Sequence, residues 1–119
     1  MTWIANPSDP GLGFSWVAPD FDDSGWNAGV YGAGYEIGGA PNALELIQTE
    51  VPTDSISVYT RAVFNVADVT QIHNLALGAD YDDGYVAWLN GVEIFRAPEV
   101  ADGVLALSLI HISEPTRPY

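Results

Sequence analysis

The chain has 119 residues, 48% of them hydrophobic and 12% aromatic, a composition typical of one globular domain rather than of a disordered segment. Its 16 acidic residues outnumber three arginines, and no lysine is present, so the net charge of −13 argues against nucleic acid and anionic membranes as partners. Cysteine is absent, which excludes disulfides and thiolate metal sites. Such a surface suits cations and neutral polar ligands.

The first half of the chain favours turns. Residues 1–56 are rich in Gly, Pro, Asp and aromatic side chains and show little periodicity, and residues 29–39 alone carry five glycines. Only residues 43–48 have real helical propensity, and they are too few for more than one or two turns. The residues after Met1 lack the basic and apolar regions of a signal peptide, and we expect the natural N-terminus to lie upstream.

The second half favours strands. Residues 57–66 alternate in a way that predicts one strand, and Leu75 with Leu77 marks another. On the first of these strands, one face is expected to carry Val58, Thr60, Ala62, Phe64 and Val66.

The strongest local signal is the Asn90-Gly91 pair between two apolar runs, residues 85–89 and residues 92–96. A type I′ turn needs positive φ at both central positions, which Asn and Gly tolerate, so the pattern predicts a β-hairpin. Several short strands separated by turns indicate an all-β fold, an antiparallel β-sandwich.

Four motifs resemble, in their order and spacing, the galactose-binding-domain-like jelly roll. This β-sandwich is an accessory module of large secreted bacterial proteins and, more distantly, the N-terminal domain of some β-galactosidase-type hydrolases. The matching residues are Phe21, Asp22, Asp23, Ser24 and Trp26; Gly32, Gly34 and Tyr35; Tyr59, Arg61, Phe64 and Val66; and Asp82, Asp83, Gly84, Val86, Leu89, Asn90, Gly91, Glu93 and Arg96. The resemblance implies a jelly roll, an extracellular location, carbohydrate as ligand, other domains of the same parent chain as partners and, in some members, a structural calcium.

The last residues stand apart from this pattern. Residues 107–117, L-S-L-I-H-I-S-E-P-T-R, resemble a transposase-type sequencing adapter translated in frame. We therefore interpret residues 1–106 as a partial β-sandwich domain, incomplete at the C-terminus, from a truncated metagenomic fragment, and residues 107–119 as an adapter-derived tail. Residues 104–112 are nevertheless β-prone and are expected to pair with an open sheet edge.

Acidic clusters provide the candidate metal site. Asp80, Asp82 and Asp83 lie close together in a predicted turn, and closely spaced carboxylates suit calcium. A second cluster contains Asp20, Asp22 and Asp23. The alternative for both clusters is that the aspartates shape turns by hydrogen bonding to their own backbone.

Aromatic rings and arginines provide the candidate ligand site. Tyr35 and Tyr81 lie in predicted loops and are the best candidates for an exposed sugar platform, while alternation in the hairpin turns either Tyr85 or Trp88 outward. The alternative for most aromatics is the core. Arg61 and Arg96 either hydrogen-bond sugar hydroxyls or pair with carboxylates such as Asp83 and Glu93.

No catalytic motif appears, because no serine or cysteine lies in a nucleophile elbow or beside a plausible base. The leading hypothesis is a non-catalytic carbohydrate-binding module. The alternatives are a structural or adhesion spacer stabilised by calcium, and the N-terminal β-sandwich domain of a glycoside hydrolase.

Overall fold

The structure is a computed structural model that describes residues 1–38 and 41–100. The predicted strand over residues 104–112 and the adapter-like tail over residues 107–119 lie outside this range. The described part is mostly strands with little helix, which confirms the all-β class. The strands are β1 (Thr2–Asn6), β2 (Asn27–Ala28), β3 (Ala33–Gly34), β4 (Thr49–Glu50), β5 (Ser57–Arg61), β6 (Val86–Leu89) and β7 (Val92–Arg96).

Helical segments are few and short. The α-helix α1 (Pro41–Leu46) has six residues, as the short propensity signal at residues 43–48 predicted. Two 3-10 turns cover Ser15–Val17 and Val69–Gln71. None of the helices in the described ranges has the length and apolar character needed to cross a membrane.

The largest sheet has the strand order β2-β1-β5, and both pairings are antiparallel. Its central strand β1 was not predicted from the sequence. Four of its five residues are half-buried and only Asn6 is fully buried, so the strand lacks the alternation between core and solvent that marks a strand. The Asn6 amide donates to the Ser57 hydroxyl over 3.1 Å, which satisfies both buried polar groups at one end of the β1–β5 pair.

The strand predicted over residues 57–66 is too long by five residues, because β5 ends at Arg61. Arg61 lies opposite Thr2, the first residue of β1, so β1 offers no backbone partner beyond this point. Val63 and Phe64 are 89% and 57% exposed. The strand predicted around Leu75 and Leu77 is also wrong, since no ladder forms there and both side chains are exposed.

A small apolar core joins the first sheet to a parallel pair. Ala33 of β3, Val51 and Val58 of β5 are buried together, with Met1, Trp3, Ala5 and Tyr35 packed against them. β3 and β4 are parallel, with Ala33 opposite Thr49 and Gly34 opposite Glu50, and α1 lies in the connection between them. This pair positions Tyr35 and the residues around α1.

The hairpin forms as predicted. Asn90 and Gly91 have φ values of 50° and 82°, the left-handed conformations that a type I′ turn requires. β6 and β7 pair antiparallel, with a register shift next to Ala87 and Trp88. Since Trp88 lies opposite Glu93 and Ala87 lies opposite Phe95, Ile94 is the extra residue of a β-bulge.

Candidate functional site

Trp16 is the centre of an interior aromatic cluster. Its side chain is 7% exposed and stacks on Tyr59 of β5, with ring centroids 4.2 Å apart. Trp88 of β6 meets Trp16 edge-on at 5.3 Å, and Trp26 lies 6.2 Å away. Trp88 is one of the candidates for stacking on a ligand, and its ring is in contact with Trp16 inside this cluster.

Arg61, a second candidate, lies beside the same cluster. Its Nε donates to Oδ2 of Asp23 over 3.1 Å, and its Nη1 donates to the carbonyl oxygens of Trp16 and, over 3.1 Å, Ala18. The guanidinium carbon lies 5.4 Å from the centroid of the Phe21 ring. The ion pair considered for Arg61 thus forms, with Asp23 as the partner instead of Asp83 or Glu93. The side chain is 14% exposed, and it ties the loop after the first 3-10 turn to β5.

Asp22 and Asp23, from the cluster that also contains Asp20, take part in folding contacts. The Asp22 carboxylate accepts a hydrogen bond from the backbone N–H of Ser24 over 3.0 Å, the Asx geometry expected of a turn-forming aspartate. Hydrogen bonding from Ser24 lowers the pKa of the Asp22 carboxyl. The Thr2 hydroxyl donates to Oδ2 of Asp23 over 2.6 Å, and this hydrogen bond is the main cause of the lowered pKa of Asp23. Arg61 also lowers this pKa, whereas burial of the carboxyl raises it.

Arg96, a third candidate, lies at the end of β7. Its Nε donates to Oε2 of Glu93 over 3.3 Å. Residues three apart on a regular strand point to opposite faces, and the bulge at Ile94 brings Arg96 and Glu93 onto the same face. This is the face that carries Trp88.

The other face of the hairpin carries Tyr85 and Phe95. The Phe95 ring stacks on Tyr85 with centroids 4.8 Å apart and planes 24° apart, and Tyr81 meets Tyr85 edge-on at 4.7 Å. Phe95 is 39% exposed, and both tyrosines are half-buried. We call these three residues the hairpin aromatic face. The structure brings together the two predicted candidates Tyr81 and Tyr85, and it adds Phe95, which the sequence analysis did not include.

An acidic turn precedes the hairpin aromatic face. Asp80, Asp82 and Asp83 are exposed and flank Tyr81 in the chain. Within residues 1–38 and 41–100, no three His, Cys, Asp or Glu side chains gather as a group that could hold a metal ion. The calcium site at Asp80, Asp82 and Asp83 therefore stays a prediction.

Tyr35 lies apart from the other candidates, in a cleft of about 260 Å³. The pairing of Gly34 with Glu50 places Tyr35 and Glu36 beside β4. The side chains that line this Tyr35 cleft are Tyr35, Glu36, Leu44, Ile47, Gln48 and Glu50.

The predicted candidates thus lie in separate places instead of forming one site. Arg61 and Trp88 surround Trp16, Tyr81 and Tyr85 form the hairpin aromatic face, and Tyr35 lines its own cleft. Comparison of the chain with protein-family models, with curated proteins and with solved structures found no match.

Proposed function

We propose that this chain is a non-catalytic carbohydrate-binding module, with a galactose-binding-like jelly-roll fold, from a larger secreted protein. The observation that carries the proposal is the hairpin aromatic face, where Tyr85 contacts both Tyr81 and Phe95 and all three residues are partly exposed. The ring surface that these contacts leave exposed is apolar and suits the C–H groups of a sugar, and the tyrosines add a hydroxyl.

The surroundings of this face favour a neutral polar ligand. The exposed Asp80, Asp82 and Asp83 supply hydrogen-bond acceptors for hydroxyl groups, and the net charge of −13 disfavours anionic ligands. The resemblance of the four motifs to the jelly-roll family supports the same class of ligand. It also supports the extracellular location and the presence of further domains in the parent protein.

Calorimetric titration with galactans, xylans, pectins and marine glucans tests the proposal. We expect at least one of them to bind, and Tyr85→Ala or Phe95→Ala to weaken that binding about two- to tenfold, as expected for the loss of one ring contact. Phe64→Ala is the matched control, because Phe64 is 57% exposed and lies outside the face. Absence of binding to all these polysaccharides would overturn the proposal.

A second candidate function is a spacer or adhesion domain stabilised by calcium. It is favoured by the three exposed carboxylates of Asp80, Asp82 and Asp83, which lie within four consecutive residues. A cation that binds only the folded state raises the melting temperature, so thermal unfolding with calcium and then with a chelator is the test. An unchanged melting temperature would remove this candidate.

A further inference from the structure

The Tyr35 cleft combines apolar walls with acceptors of hydrogen bonds. Tyr35 is half-buried and packs against the core, so its ring is held in place at the cleft. Leu44 and Ile47 add aliphatic surface, and the polar side chains are Glu36, Gln48 and Glu50. Three of the six lining residues carry a carboxylate or an amide, so the lining is more polar than apolar and suits a polar ligand. The cleft is slightly smaller than most small-ligand pockets, which span about 300–1,000 Å³.

The two carboxylates of the cleft have no cationic neighbour in its described lining. The arginines of the described ranges are engaged elsewhere, Arg61 with Asp23 and Arg96 with Glu93. The Met1 ammonium donates to the carbonyl oxygen of Gly29 over 3.0 Å. Among the described residues, no arginine competes with a positively charged ligand for Glu36 and Glu50.

We infer that the Tyr35 cleft binds a protonated amino sugar, such as one glucosamine unit of a deacetylated chitin chain. The ammonium of the sugar pairs with Glu36 and Glu50, its ring C–H groups contact Tyr35, and a hydroxyl meets the Gln48 amide. A lysine side chain would satisfy the carboxylates but has no hydroxyl for Gln48. The inference rests on the proposed function for its class of ligand and assigns a site separate from the hairpin aromatic face.

The test compares short oligomers of glucosamine, of N-acetylglucosamine and of neutral glucose, titrated into the 119-residue chain by calorimetry. We expect the glucosamine oligomer to bind at least about tenfold more tightly than the other two while its amine is protonated. This preference falls as the pH rises through the pKa of the amine and as salt is added, because it depends on charge.

Three variants locate the binding. Glu36→Gln and Glu50→Gln should each weaken binding of the glucosamine oligomer about tenfold and leave any binding of neutral glycans unchanged. Glu45→Gln is the matched control, since Glu45 is an exposed glutamate of α1 outside the cleft lining. Circular dichroism of each variant confirms that the fold is kept.

The outcomes separate this inference from the proposed function. Binding of a neutral polysaccharide that depends on Tyr85, with no preference for the glucosamine oligomer, overturns the amino-sugar site and leaves the proposed function standing. Equal losses in all three glutamate variants indicate general attraction of a cation to an acidic chain and also overturn the site. If a lysine oligomer binds as tightly as the glucosamine oligomer or more tightly, the amino-sugar site is overturned and a basic peptide is the better ligand.

Discussion

Asp23 and Arg61, 38 residues apart in the chain, are joined by a hydrogen-bonded ion pair of 3.1 Å. The pair connects two of the four motifs, because Asp23 belongs to F-D-D-S-x-W and Arg61 belongs to Y-x-R-x-x-F-x-V. Phe21 lies against the Arg61 guanidinium, and the Trp26 ring meets the Phe21 ring edge-on with centroids 5.5 Å apart. These motif residues stabilise one another, which explains their types without reference to a ligand.

Replacing Arg61 by Met is expected to lower the free energy of unfolding by about 2–3 kcal/mol. The substitution leaves Asp23 without its cation and removes the Arg61 donor from the carbonyl oxygens of Trp16 and Ala18, of which Ala18 keeps the N–H of Phe21. Urea unfolding followed by tryptophan fluorescence measures the change. Glu93→Gln is the control, because the Glu93 side chain is 40% exposed and its pair with Arg96 is expected to contribute less than about 1 kcal/mol. Equal effects of the two variants would contradict the role of Arg61.

Stability is expected to fall in acid because the pKa of Asp23 is lowered from 3.8 in the folded state. A carboxyl with a lowered folded pKa contributes stability that is present above its unfolded pKa, and this stability is lost as the pH falls through the folded pKa. The loss therefore lies below about pH 4. Urea midpoints measured across this range should depend less on pH in Asp23→Asn than in the unsubstituted chain. Asp54→Asn, which removes an exposed carboxylate, is the charge-matched control.

Stability is also expected to fall in alkali because burial, with a contribution from the charge of Asp9, raises the pKa of Tyr59 to about 12. In the unfolded chain the phenol ionises near its ordinary pKa of 10.0, so the contribution of Tyr59 is present below that pH and is lost towards pH 12. No lysine titrates in this range. Unfolding measured at alkaline pH should be less pH-dependent in Tyr59→Phe than in Tyr81→Phe. Identical profiles would contradict the prediction.

Gly29→Ala is expected to lower the free energy of unfolding by about 1–3 kcal/mol through overpacking. A Cβ at this position would lie 2.8 Å from Nε1 of Trp3 and 2.9 Å from Oγ1 of Thr49. Thr49 cannot yield easily, because its hydroxyl donates to the carbonyl oxygen of Val30 over 2.6 Å and accepts from the Val30 N–H over 3.0 Å. Gly25→Ala is the matched control, since a Cβ there meets nothing within 4 Å. Thermal unfolding of the two variants gives the comparison, and equal melting temperatures would count against the steric argument.

Features that depend on a few neighbouring residues were predictable. The hairpin turn follows from the tolerance of Asn90 and Gly91 for positive φ, and α1 follows from local helical propensity. Strand lengths were not predictable in the same way. Residues 62–66 alternate as a strand should, but alternation alone supplies no partner for their backbone.

The candidate site residues were also predictable only where their position depends on neighbouring residues in the chain. Tyr81 and Tyr85 were predicted as ligand-binding residues from their loop and hairpin positions, and they do contact each other. Phe95 was missed because its place on the same face depends on the bulge at Ile94, which shifts the register of β7 by one residue. Glu36 and Glu50 were missed because only the parallel pairing of β3 with β4 brings them to one cleft.

The sequence by itself determined the all-β class, the hairpin and the strongly acidic charge, because each depends on composition or on the backbone preferences of adjacent residues. Only the tertiary structure decided that Arg61 pairs with Asp23, that Trp88 packs on Trp16 and that Tyr81, Tyr85 and Phe95 share a surface. These contacts join residues far apart in the chain or depend on strand register, and no local preference of the backbone specifies them.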